Sequence, residues 1–130
     1  PHVLGLMVDQ SVVLTSDADT AHNVHLVATR NRDANFVQYK GQEKKMSFAR
    51  PELGSVYFKC DIHSWMRLHV GVFSHPFFAV SGDDGTYQLG KLPPGEYEIE
   101  AWHETLGAQP RKLTLRDGET ITADFTFKKE

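Results

Sequence analysis

A single cysteine, Cys60, stands among the 130 residues, so no disulfide can close within the chain and the fold must rest on its core or on a metal. Basic runs are also scarce. The densest are Lys44-Lys45 and Lys128-Lys129, and 14 Lys and Arg against 17 Asp and Glu leave a net charge of -3. Nothing approaches a nucleic-acid footprint, and nucleic acid is disfavoured as a partner. Apolar runs are no longer than a strand, so no direct membrane span is expected. Helical periodicity never lasts beyond two turns, and there is neither a low-complexity tract nor a repeat. The chain starts at Pro1 with no initiator Met and no charged-then-apolar leader, which reads as a processed chain or a fragment. Hydrophobic residues at 40%, charged residues at 24%, ten Gly and six Pro make an ordinary globular composition, enough for one compact domain or two small ones sharing a core. Set against these absences are seven histidines, the first pointer to a metal.

Short alternating runs separated by turn signals predict an all-β fold. Strands are expected at Ser11 to Leu14 and at His22 to Ala28, with the polar loop Ser16 to Thr20 between them. Lys45 to Ala49 places Met46 and Phe48 on one face, Pro51-Glu52-Leu53-Gly54 breaks the chain, and Ser55 to Cys60 resumes with Val56, Phe58 and Cys60 on one face. Leu68, Val70 and Val72 form the next inward set. After His75-Pro76 the texture changes, and a soft boundary near Ser74 to Pro76 divides residues 1–75 from 76–130, unless the two halves form one continuous sandwich. Strands are expected at Phe77 to Val80 and Thr86 to Leu89 around the turn Ser81 to Gly85. Further ones are expected at Glu96 to Ala101, Lys112 to Arg116 and Thr120 to Lys128, the last with Ile121, Ala123, Phe125 and Phe127 on one face.

The chemistry concentrates in Cys60-Asp61-Ile62-His63-Ser64-Trp65-Met66, a C-x2-H-x2-M pattern, and in His22-Asn23-Val24-His25 upstream. A thiolate, imidazoles and a thioether are the ligands that copper prefers. Parity sets His22 on the face of Val24 and Leu26, and Cys60 on the face of Phe58 and Val56, so both are expected to point inward. A short loop after a strand-end Cys can return His63 and Met66 to the same point. His22, Cys60 and His63 would then form a trigonal plane with Met66 as a weak axial ligand, the pattern of blue-copper electron-transfer sites.

From Met7 to Val72 these two motifs resemble the cupredoxins, with a Cys, His and Met spacing most similar to the amicyanin type of that plastocyanin-like family. The resemblance implies a Greek-key β-sandwich and one copper ion held by His22, Cys60, His63 and Met66. It also implies that Asn23 ties the ligand loops together by hydrogen bonds and that His25 is not a ligand. From Phe77 to Phe127, Gly82-Asp83-Asp84-Gly85-Thr86-Tyr87 and Leu92-Pro93-Pro94-Gly95-Glu96-Tyr97 resemble the carboxypeptidase regulatory-like domain, a small prealbumin-like antiparallel β-sandwich. Together the halves are similar to bacterial periplasmic proteins in which a plastocyanin-like copper module is embedded in such a sandwich. Few strands precede His22 for a full cupredoxin barrel, and the usual first strands of a regulatory-like domain are missing before Phe77.

Other readings stand beside this one. His22, His25, Cys60 and His63 would suit zinc, although residues three apart on a strand face opposite ways. Cys60 as a nucleophile with His63 or His22 as base would make an enzyme, but no further acid or amide is placed by motif. Asp83-Asp84-Gly85 suits calcium less than a plain hairpin turn. Trp65 would cover the metal or dock a partner, and His69, His75 and His103 carry no assignment. The expectation is a type 1 copper protein, not an enzyme, that transfers one electron in a periplasmic or otherwise extracytoplasmic setting. Its partner would be a redox protein such as a cytochrome, or the subunits of a larger complex. Copper binding or delivery without redox cycling, and a structural interaction module, are the alternatives.

Overall fold

Alternation at the sequence level becomes a ladder wherever a neighbouring strand can bury the same face, and nine such segments form among the described residues. The computed structural model describes residues 2–16, 21–60 and 67–128. Among these the protein is all-β, with strands in several sheets and no helix, hence none long and apolar enough to cross a membrane. The strands are β1 Val3–Met7, β2 Val12–Thr15, β3 His22–Val27, β4 Ala34–Gln38, β5 Glu43–Met46, β6 Tyr57–Lys59, β7 Arg67–Phe73, β8 Gly95–His103 and β9 Gly107–Leu115. The chain divides into two compact units, Pro1–Gln88 and Leu89–Glu130.

In the first unit a five-stranded sheet runs in the order β1-β7-β6-β3-β4, and β2 pairs with β5 in a separate two-stranded sheet. Only β1 and β7 are parallel; β7, β6, β3 and β4 follow one another antiparallel. Both sheets contribute to one core. Leu6, Leu26, Phe58, Val70 and Val72 come from the larger sheet, Val12 from the smaller, with Phe48 and Val56 from the connections, and Leu14 and Met46 pack against them. Each such side chain removed from water stabilises the unit by roughly 1.5–3 kcal/mol. Gln38, 5% exposed, is tolerated there because its amide donates to Leu14 O at 2.8 Å and Gln42 O at 3.0 Å, tying the end of β4 to the β2 edge.

Residues 77–80 and 86–89 carry the expected apolar texture but join no ladder. The turn between them does close, with Gly82 N donating to Thr86 O and Gly85 N to Gly82 O, each at 2.9 Å. This segment packs with the first unit, so the texture change near Ser74 to Pro76 lies inside that unit. Phe78 stacks on Phe73 at 4.6 Å and brings one ring edge close to Gly5, where a Cβ would meet it at 2.7 Å.

In the second unit β8 and β9 form a hairpin in the register Gly95 with Leu115 through His103 with Gly107. Gly107 takes φ 86°, the left-handed conformation that lets the tight turn re-enter the ladder. The alternating stretch Thr120 to Lys128 forms no third ladder strand. It is held by side chains instead: Gln109 Nε2 donates to Thr126 O at 2.7 Å, and the Arg111 guanidinium lies 4.9 Å from the Phe125 ring centre.

Candidate metal centre

Antiparallel pairing of β3 with β6, His25 opposite Lys59, brings the start of one strand beside the end of the other. His22 opens β3 and Cys60 directly follows β6. Parity then sets direction, since Cys60 continues the inward series of Val56 and Phe58. The free thiol is 4% exposed. Its Sγ lies 3.9 Å from His22 Nδ1, and it donates to Asn23 Oδ1 at 3.5 Å. Asn23 Nδ2 donates in turn to Asn35 Oδ1 on β4 at 3.2 Å, so one amide joins the Cys60 position to the next strand of the sheet.

Sulfur and an imidazole nitrogen that ligate one first-row cation at about 2.3 and 2.0–2.1 Å stand about 3.6–3.8 Å apart. The observed 3.9 Å between Sγ and Nδ1 is close to that separation. Thiolate and imidazole are also the donors that suit copper. His22, Cys60 and Asn23 therefore come together as a pair of donors with a hydrogen-bonding neighbour. His63, Trp65 and Met66 lie outside the described residues. Among the described residues, His25 does not gather with His22 and Cys60 into a single group of ligating atoms, as the zinc set would require.

His75, His103 and Asp84 have local partners. His75 Nδ1 accepts from Phe77 N at 3.1 Å, and His103 Nδ1 accepts from Thr105 N and Leu106 N, each at 3.1 Å. In the Asp83-Asp84-Gly85 turn, Asp84 Oδ1 accepts from Thr86 N at 3.1 Å and Thr86 Oγ1 at 2.8 Å. The Thr86 backbone donor, then its hydroxyl, hold the Asp84 carboxyl below the usual range. An oxygen engaged in this way closes a turn.

Glu52 carries no functional signal in the sequence, where it stands only in the chain break Pro51 to Gly54. Glu52 is 6% exposed, and its carboxylate accepts from Thr29 N at 2.6 Å, Arg30 N at 2.9 Å, Asn31 N at 3.1 Å, Asn31 Nδ2 at 3.0 Å and Ser55 Oγ at 2.5 Å. Its backbone bridges to Val72 in both directions, at 3.0 and 2.8 Å. Burial alone would raise its pKa, but the donors from Ser55, Thr29, Asn31 and Arg30 outweigh it and lower the group from 4.5 to about 2. The partners lie 21 to 23 residues away, or 3 for Ser55, so no local motif announces them.

Comparison with protein-family models, with curated proteins and with solved structures finds no match.

Proposed function

We propose that this chain is a mononuclear copper protein that carries one electron, with His22, Cys60, His63 and Met66 as ligands. On this reading the first unit is a cupredoxin-like Greek-key sandwich. The second belongs to a prealbumin-like sandwich that attaches the copper module to a larger periplasmic or otherwise extracytoplasmic assembly. The partner is a redox protein such as a cytochrome, and no substrate bond is made or broken. The observation that carries the reading is the buried Cys60 Sγ facing His22 Nδ1 across two strands at 3.9 Å.

Bound copper would supply a one-electron couple between Cu(II) and Cu(I). What the protein contributes is position and environment. His22 is paired with Gln38 in the ladder of β3 with β4, and β3 is anchored on its other side by β6 from His25 onward, so the backbone that carries the imidazole is set by the sheet. The thiol is buried and continues the inward series of Phe58 and Val56, and such burial disfavours the additional charge of the oxidised state and raises the reduction potential. Asn23 holds the sulfur from the strand side. Once the thiol loses its proton it can no longer donate to Oδ1, and the amide serves the sulfur by presenting Nδ2 instead.

Electron carriage and copper delivery differ in exchange. Copper-loaded protein is passed through repeated cycles of ascorbate reduction and ferricyanide oxidation in the presence of a competing Cu(I) chelator. Retention of copper with full recovery of the oxidised spectrum supports carriage; loss to the chelator in the first reduction supports delivery.

A further inference from the structure

A second pair of donors, both imidazoles, stands on the same sheet, away from the Cys60 position in sequence and on different strands. His2 precedes β1, and His69 lies in β7 opposite Val3 in the parallel register. His69 N donates to His2 O at 2.9 Å, extending the ladder by one rung and fixing the backbone under both side chains. The rings stand edge to face with centroids 5.5 Å apart, and their ligating nitrogens lie within 4.8 Å of one another. His69 is half-buried and braced on its other side by Tyr57, 5.9 Å between ring centres, and the Arg67 guanidinium lies 5.0 Å from the Tyr57 ring centre. His2 is exposed, so water reaches the pair.

We propose that His2 and His69 chelate a divalent transition cation of the imidazole-preferring kind, Cu(II), Zn(II) or Ni(II). Two nitrogens bound at 2.0–2.1 Å in a tetrahedral site stand about 3.3–3.4 Å apart, which exposed His2 can reach by turning its side chain toward the braced His69. The paired backbone sets the starting geometry, so little main-chain ordering remains when the cation binds. Two imidazoles are a borderline-soft donor set that discriminates against Mg(II) and Ca(II), and water completes the coordination. The pair contains no thiolate, so Cu(II) held there gives no intense visible charge-transfer band. That separates it from the Cys60 position whether or not the latter holds copper.

The test is a Cu(II) titration of the full chain by electron paramagnetic resonance and isothermal calorimetry, with Zn(II) as competitor and with His2→Gln, His69→Gln and His25→Gln variants. The expected result is a Cu(II) site without an intense visible band that Zn(II) displaces only in large excess and Mg(II) does not displace. Either His2→Gln or His69→Gln should weaken it roughly tenfold or more, with His25→Gln unchanged. His2 lies outside the strands and is exposed, so His2→Gln keeps the test valid if His69→Gln fails to fold. Absence of that site in the unaltered chain, or undiminished binding in His2→Gln, overturns the proposal.

Discussion

Cys60 and Glu52 are buried to a similar degree, 4% and 6% exposed, and they bond to residues at opposite ends of β3 in different ways. The partners of Cys60 are His22 and Asn23, which open β3; those of Glu52 are Thr29, Arg30 and Asn31, which follow it. Glu52 is saturated. Its oxygens take up backbone donors of the β3–β4 connection and the Ser55 hydroxyl, so it is a staple that leaves no room for chemistry. Cys60 faces an imidazole nitrogen at 3.9 Å and donates to an amide oxygen at 3.5 Å, which sets a thiol and an imidazole, donor types that suit copper, side by side. Similar burial thus accompanies a carboxylate whose oxygens close a backbone connection and a thiol that stands beside a second donor group.

The sharpest way to break this contrast is Glu52→Ala. It leaves the N–H groups of Thr29, Arg30 and Asn31 without their acceptor and should cost about 3–5 kcal/mol in urea unfolding. A loss below about 1 kcal/mol would remove the staple reading. The carboxylate also predicts a pH dependence of definite sign. Its folded pKa of about 2 lies below the ordinary 4.5, so its stabilisation is complete above 4.5 and is lost as pH falls through 2. The loss amounts to roughly 3 kcal/mol, and a Glu52→Gln variant should show a flatter acid limb.

At the other end of β3 the energetic effects shrink and the spectroscopic ones grow. Cys60→Ser should change the stability of metal-free protein by only about 1–2 kcal/mol while abolishing intense visible colour on addition of Cu(II). Met66→Gln should keep a coloured site and lower its potential, read by redox titration. Asn23→Ala is the mildest, about 1 kcal/mol in unfolding with faster copper loss to a chelator. Unchanged exchange would leave Asn23 as a strand tie only.

What the sequence discloses divides along the same line. β3 and the inward faces of Val56, Phe58, Cys60, Val70 and Val72 are legible because period-two alternation survives wherever one face is buried. β1 is not, since Val3–Met7 carries Gly5 at its centre and forms only because β7 lies beside it in parallel. β4 is hidden by its inward Gln38, a polar side chain that breaks the pattern and is bonded only in the folded chain. Conversely, Thr120 to Lys128 alternates without pairing, because periodicity signals a face and cannot supply a neighbour. His22 and Cys60 are found from residue type and parity, whereas Glu52 and the His2 and His69 pair depend on contacts between distant segments.

The most direct test of the account is a Cu(II) titration of the reduced, metal-free protein followed by visible absorption and electron paramagnetic resonance, with Cys60→Ser as control. A type 1 copper site on Cys60 predicts an intense thiolate-to-copper band that saturates at one equivalent, bleaches with a reductant, returns with an oxidant and is missing from the control. Tighter binding of Zn(II), or Cu(II) binding with no such band in the unaltered chain, would contradict it.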